Sequence, residues 1–282
     1  MSDMRPIGVF DSGVGGLSVL REIRRELPGE ELLYVADSGF GPYGDLPEQL
    51  IEARSVALIE FLLSQQVKAI VVACNTITGV AIRRIRARFP VPIVGMEPAV
   101  KPAAATTKSG VIGVLATTRT LSSDNFLSLR ERFGANVEIL VQPCPGLADK
   151  VEAGELAGAS TRALVEQYVK PMLECGADTI VLGCTHYPFL SALILSIAGP
   201  DVIIIDPAAA VARELRRRLE ELGLIASGAC SGTERFWSSD IPEKAKSIIS
   251  CLWRADTEVQ TLTGKLSVTE KNIPPWRLAG RS

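Results

Sequence analysis

Ile70-Val71-Val72-Ala73-Cys74-Asn75-Thr76 returns later in the chain as Ile180-Val181-Leu182-Gly183-Cys184-Thr185, and this echo decides the fold. A continuous apolar run without polar alternation is what a strand buried on both faces of a parallel sheet requires. Each copy then ends on a small residue, a cysteine and a hydroxyl or amide side chain. A second echo lies upstream of each, where Ile7-Gly8-Val9-Phe10 matches Ile112-Gly113-Val114-Leu115. Matched segments in the same order, with small differences in spacing, mark an internal repeat with loop changes.

Outward from these strands, short apolar runs alternate with longer amphipathic segments. In the first half, strands are expected over 7–10, 32–36, 69–73 and 93–95, and helices over 15–27, 47–65 and 77–88. The alternation then starts over, with strands over 110–115, 137–141, 179–182 and 202–205 and helices over 122–133, 160–175 and 207–222. A helix over 236–253 and a strand near Val259 close the pattern. The stretch from Thr263 onward is polar and contains prolines, so a poorly ordered tail is expected.

Strands alternating with helices specify an α/β fold: two similar domains, each a mostly parallel sheet flanked by helices. The expected boundaries are 1–98 together with 207–262 for a discontinuous first domain, 99–206 for the second, and 263–282 for the tail. In open α/β sheets ligands gather at the carboxyl ends of strands. Two such ends facing each other would form an interdomain cleft with one thiol on each wall.

Composition removes several classes of function. The chain has 282 residues, 47% of them hydrophobic, and a formal net charge of −2, which is a globular composition without the basic face of a nucleic-acid binder. The arginine-rich stretches 83–88 and 213–218 read as solvated helix faces. No run approaches the roughly 18 apolar residues of a membrane span. The first strand follows within a few residues of Met1 with no charged-then-apolar leader, so neither a secretory signal nor an N-terminal regulatory extension is expected, and the cytoplasm is the expected compartment. There the six cysteines, Cys74, Cys144, Cys175, Cys184, Cys230 and Cys251, should be thiols. None forms the close pairs of a zinc site, so no metal is expected.

Cys74 and Cys184 are the leading candidates for chemistry. A single free cysteine is commonly a small buried hydrophobe; two at the same point of a repeat are harder to explain by packing. Just past a strand, a cysteine can sit at a helix N-terminus, which would lower its pKa from about 8.5. Asn75, Thr76, Thr185 and His186 follow and offer donors to a carboxylate. His186 is the only histidine in the chain; within Gly183-Cys184-Thr185-His186-Tyr187-Pro188 it can take and hold a thiol proton. Asp11 and Ser12 end the first strand, before a glycine-rich turn, Gly13-Val14-Gly15-Gly16. That turn matches neither nucleotide-binding pattern, although its N–H groups could hold a small anion. Asp37 likewise follows a strand, ahead of Pro42-Tyr43-Gly44, and as a lone strand-end aspartate reads equally well as a cap.

Taken in order, DSGVGGLSV, PYG, ACNT and GCTHYP resemble the cofactor-independent glutamate racemases within the aspartate/glutamate racemase group, over about residues 7–261. The resemblance implies a two-domain enzyme without cofactor or metal that racemises glutamate and supplies D-glutamate for peptidoglycan. It implies that Cys74 and Cys184 are the acid and base and that Asp11 and His186 tune them. Glu152, in the run CPGLADKVEAGE, would be an acid placed near the histidine, and Asp37 joins the catalytic set. Asp11, Ser12, Tyr43, Gly44, Asn75, Thr76, Thr117, Thr120, Thr185 and His186 would hold the substrate. The oligomeric state stays open, a homodimer being one form the resemblance allows. One segment departs: the family usually reads close to GDTARxPYG, where this chain has Ala36-Asp37-Ser38-Gly39-Phe40-Gly41-Pro42-Tyr43-Gly44, so the usual Thr and Arg are replaced by Ser38 and by Phe40 or Gly39, depending on the alignment.

The chemistry explains the pairing. Inverting an α-carbon needs a base on one face and an acid on the other, because a single group could only return the proton to the face it left. Two thiols on opposing walls supply both, if their pKa values straddle the working pH. The alternatives are an aspartate or hydantoin racemase of the same group, a pyridoxal-phosphate racemase, which would need a lysine in a strand-end context, and a non-catalytic amino-acid-binding protein.

Overall fold

The computed structural model describes residues 3–226, 231–263 and 266. Cys230 and nearly all of the expected tail lie outside the described residues.

Two parallel sheets organise the chain. The first contains β1 (Ile7–Asp11), β2 (Leu32–Ala36), β3 (Ala69–Val72) and β4 (Ile93–Val94); the second contains β5 (Val111–Ala116), β6 (Glu138–Pro143), β7 (Thr179–Gly183) and β8 (Ile203–Ile205). The chain then returns to the first sheet with β9 (Glu234–Ser238) and β10 (Val259–Thr261). The strand orders are β10-β9-β2-β1-β3-β4 and β6-β5-β7-β8. Around them run α1 (Leu17–Glu26), α2 (Glu48–Ser64), α3 (Asn75–Arg88), α4 (Val100–Thr106), α5 (Thr118–Leu121), α6 (Asp124–Phe133), α7 (Leu147–Glu152), α8 (Ala159–Glu174), α9 (Ser191–Ala198), α10 (Ala208–Glu221) and α11 (Pro242–Trp253).

The uninterrupted apolar runs are explained by burial on both faces. In β1, Ile7 and Val9 join one core cluster and Phe10 the other; in β3, Ala69 and Val71 face the first and Ile70 and Val72 the second. Helices α1 and α10 cover the first face with Leu17, Leu20, Ile23, Leu215 and Leu219. Helices α2 and α3 cover the other with Ile51, Leu58, Leu62, Ile77 and Ile85. Each fully buried aliphatic side chain of this kind contributes roughly 1.5–3 kcal/mol. The first cluster continues through Leu115, Ile180, Leu182 and Tyr187 of the second half, so one apolar core joins the two sheets. The arginines of 83–88 and 213–218 are exposed and pair with Glu52, Glu60, Glu220 and Glu221. Among the described residues no helix is long and apolar enough to cross a membrane.

The expected helix over 236–253 is wrong in its first part. Residues 234–238 form β9, which pairs in parallel with β2 from Leu32↔Glu234 to Ala36↔Ser238. The aromatic pair Phe236-Trp237 is buried on opposite faces of that strand, a period of two that a helical reading blurs. The helix begins only at Pro242, in the first-turn position where its missing N–H costs nothing. Helices α4, α5, α7 and α9 were not anticipated.

Both cysteines occupy equivalent positions. Cys74 lies two residues past β3, which pairs with β1, and Cys184 lies just past β7, which pairs with β5. All these strands are parallel, so their carboxyl ends open on the same side of each sheet.

Candidate active site

The two strand ends meet around one enclosed cavity. Its walls are Ser12, Pro42, Tyr43, Gly44, Cys74, Asn75 and Thr76 from the first half and Thr117, Ala148, Cys184, Thr185 and His186 from the second. Its volume is about 10 Å³, about one water molecule. Asp11, Asp37, Thr120 and Glu152 do not line it; they stand behind the walls and hold the groups that do.

On the Cys184 wall, His186 Nδ1 is 3.6 Å from the Cys184 Sγ and Nε2 is 2.7 Å from Glu152 Oε1. Burial works against a charged imidazole, but the adjacent sulfur and carboxylate prevail and hold the His186 pKa well above its ordinary value. Burial likewise works against the Glu152 carboxylate, and the bond to His186 keeps its pKa below the usual range.

The glycine-rich turn serves this pair. Its N–H groups go to protein carboxylates, Val14 N to Glu152 Oε1 and Gly16 N to Asp11 Oδ2, both at 2.7 Å. A Cβ at Gly13 would lie 1.9 Å from Glu152 Oε1, and one at Gly15 would lie 2.3 Å from His186 Nδ1. The glycines are there so that backbone can pass against the Glu152–His186 pair. The anion-holding role entertained for this turn gives way to that packing role.

The Cys74 wall is different. Cys74 is the N-cap of α3 and its thiol approaches the Ser12 hydroxyl at 3.6 Å. The expectation that the helix N-terminus lowers its pKa is not met. Burial, reinforced by the nearby Asp11 carboxylate, pushes the thiol well above its ordinary range, and the N–H of Ile77 and the Ser12 hydroxyl only partly offset this. Asp11 accepts from Ser12 N, Gly16 N and the Thr185 hydroxyl at 2.7, 2.7 and 3.2 Å, so it ties the first strand end to the second wall. Burial raises its carboxyl above the usual range, opposed chiefly by His186.

Three hydroxyls form a cluster across the cleft, with Thr76 Oγ1 3.0 Å from Thr117 Oγ1 and 3.3 Å from Thr120 Oγ1. Beside them, the Asn75 side chain is 3% exposed and neither its oxygen nor its nitrogen has a hydrogen-bond partner. A buried amide left unsatisfied costs about 1–3 kcal/mol. Because Asn75 also lines the cavity, a zwitterion entering there would meet that demand.

Asp37 and Tyr43 take a different place from the one sequence suggested. The Tyr43 hydroxyl donates to Asp37 Oδ2, so the ring lines the cavity while its polar end faces away. Asp37 also accepts from Arg54, Nε to Oδ2 at 2.9 Å and Nη2 to Oδ1 at 2.5 Å. With its oxygens engaged and no place on the cavity wall, Asp37 stands behind the site and holds Tyr43. Sequence reasoning missed Arg54, Pro42 and Ala148. Arg54 had a signal, as a charged residue on the buried face of α2 with Ile51, Ser55, Leu58 and Leu62. Among the described residues no group of three His, Cys, Asp or Glu side chains could hold a metal ion.

This chain has known relatives in sequence and in fold. The family model described as Asp/Glu/Hydantoin racemase matches residues 7–215. The chain belongs to this racemase family. Within it, the chain is 56% identical to the glutamate racemase of Methylococcus capsulatus, over 91% of this chain and 95% of that protein. Among solved structures, glutamate racemase from Escherichia coli, in complex with L-glutamate and the activator UDP-MurNAc-ala, matches with a TM-score of 0.81 and 31% identity, covering 92% of this chain and 98% of that one. Glutamate racemase from Francisella tularensis, in complex with D-glutamate, matches with a TM-score of 0.80 and 28% identity, covering 93% and 98%. The family's two-domain α/β architecture with parallel sheets is the one described above.

Proposed function

We propose that this racemase interconverts L- and D-glutamate by proton transfer between Cys74 and Cys184, without cofactor or metal. The observation that carries the reading is the placement of these two thiols at equivalent strand ends, one from each half of the chain, on the walls of one cavity. One thiol removes the α-proton while the other delivers a proton to the opposite face. With His186 beside Cys184 and the Ser12 hydroxyl beside Cys74, Cys184 acts as base and Cys74 as acid in one direction, and the roles exchange in the other. The first direction corresponds to L-glutamate entering. Asp11 and His186 tune the thiols, and Glu152 orients the imidazole. Asn75, Thr76 and Thr185 meet the charge that develops on the α-carboxylate, in a site that excludes water. The small cavity requires the walls to part for entry and to close again for chemistry.

Glutamate is favoured over aspartate because relatives named glutamate racemase align over nearly the whole chain. The division into a discontinuous first domain, 1–98 with 207–262, and a second, 99–206, is part of the same reading, supported by β9 and β10 returning to the first sheet. So are a cytoplasmic location, supply of D-glutamate to peptidoglycan, and a homodimer. The deciding experiment follows the rotation of polarised light by pure, dialysed protein with each enantiomer. Loss of both signals to the same racemic endpoint, with equal kcat/KM in the two directions, supports the reading. A requirement for pyridoxal phosphate or a metal overturns it, as does binding of one enantiomer without conversion. A kcat/KM for aspartate equal to that for glutamate overturns the substrate assignment.

A further inference from the structure

We propose that Arg54 is a positioning residue for the substrate, acting through Asp37 to fix the part of the cavity wall made by Tyr43 and Gly44. The proposal rests on the glutamate reading and extends it to a residue on α2 that does not line the cavity.

The Arg54 guanidinium is committed on several sides. Its Nε and Nη2 fork onto the two oxygens of Asp37, Nη2 also donates to the Leu266 carbonyl at 3.2 Å, and the group lies 3.6 Å from the centre of the Phe40 ring. Asp37 passes this on in two ways. Its carboxylate receives the Tyr43 hydroxyl. Its main-chain carbonyl receives the N–H groups of Phe40 and Gly41, each at 2.9 Å. One residue therefore fixes both the start of the loop and the side chain at its end. Gly41 must then pass so close to the Ser12 carbonyl that a Cβ there would lie 2.0 Å from it. Gly44 packs against Thr117 across the cleft, 3.1 Å from the position a Cβ would occupy.

Stability alone does not account for this arrangement. The pair is 8% and 0% exposed, and a buried ion pair is often no better for stability than apolar residues of the same volume. What a bidentate fork supplies is direction: it fixes the plane of the carboxylate, and with it the phenol and the loop. The stacked ring of Phe40 holds the guanidinium flat in that orientation. The cavity wall facing Thr117 is thus set by a charge that comes from a helix behind it.

The test measures steady-state kinetics in both directions for the wild type, Arg54→Met, Arg54→Lys and the double variant Phe40→Arg/Arg54→Met. Arg54→Met should raise KM for glutamate about tenfold and leave kcat within about threefold, because the thiols are untouched. Arg54→Lys should recover little, since an ammonium cannot fork. The double variant should recover most of the loss, because the residue at position 40 already lies against the guanidinium that forks onto Asp37 and an arginine there can bring a fork of its own. Where Arg54→Met fails to fold by circular dichroism, the lysine and double variants decide. Unchanged KM in the folded variants, with only the melting temperature lowered, would overturn the proposal in favour of a purely structural pair. A fall in kcat at constant KM would overturn it equally. If the wild type did not racemise glutamate, the glutamate reading would fall; Kd values of the same variants for the amino acid it does bind, by calorimetry, would still decide the role of Arg54.

Discussion

The Nδ1 of His186 lies 3.6 Å from the Sγ of Cys184. The other ring nitrogen is engaged by Glu152, so the imidazole is held in a fixed orientation and can keep a proton that the thiol releases. Beside Cys74 stand instead the Ser12 hydroxyl and the Asp11 carboxylate. The two walls repeat each other in backbone and differ in charge.

That asymmetry has a kinetic consequence. His186→Asn should lower kcat with L-glutamate by about ten- to a hundredfold more than kcat with D-glutamate, with KM shifting so that kcat/KM stays equal in the two directions, since general acid–base partners commonly contribute in this range. Steady-state kcat and KM of wild type and variant with each enantiomer measure it. Equal slowing in both directions would remove His186 from the Cys184 side.

The same pair should shape stability against pH. His186 is raised from 6.5, so its contribution is fully present below 6.5 and is lost as pH rises through the folded value. Glu152 is lowered from 4.5, so its contribution is present above 4.5 and is lost as pH falls through the folded value. Their joint contribution is therefore greatest between these two values. The melting temperature of wild type minus that of His186→Asn should be larger at pH 6 than at pH 10. A difference that grows with pH would contradict the direction given for the imidazole.

Glycines beside the pair should be intolerant of even a methyl group. Gly15→Ala puts a carbon 2.3 Å from His186 Nδ1 and 2.6 Å from its Cε1; overpacking of this kind costs about 1–3 kcal/mol. Activity should fall with stability as the ring is displaced. Gly158→Ala, with open space around its Cβ position, should cost at most about 1 kcal/mol, the difference between the two residues at the N-cap of α8. Thermal melts and initial rates of the two variants give the comparison, and a silent Gly15→Ala would show that the turn can yield.

Single-cysteine variants should separate the faces of the substrate. Either Cys74→Ala or Cys184→Ala should abolish inversion in both directions, because each direction needs an acid and a base. In D₂O, Cys74→Ala should slowly deuterate L-glutamate and leave D-glutamate untouched, and Cys184→Ala should do the reverse. Proton NMR of the α-position follows both. Equal deuteration of the two enantiomers by one variant would refute one thiol per face; the opposite preference would reverse the assignment of faces only.

Much of the fold was legible because its signals are local. The runs before Cys74 and Cys184 read as strands because two-sided burial demands uninterrupted apolar residues, and both are parallel inner strands. Residues 234–238 were misread because they join the first sheet only by lying beside β2, some 200 positions earlier in the chain. A short segment with two aromatics carries too little periodicity to announce that neighbour. Arg54 escaped for a related reason: its partner Asp37 lies on another element, and nothing near Arg54 in sequence specifies a carboxylate.

The sequence by itself determined the repeat, the parallel α/β sheets and the strand-end position of each cysteine, since hydrophobic period and internal similarity are properties of contiguous residues. Tertiary structure alone decided that the glycine turn packs against Glu152 and His186 and gives the N–H groups of Val14 and Gly16 to protein carboxylates. It alone decided that burial outweighs the helix terminus at Cys74, and that Asp37 turns its carboxylate away from the cavity toward Arg54. Each of these depends on which groups are removed from water together, and desolvation is set by the surroundings in space of a side chain, which no local pattern encodes.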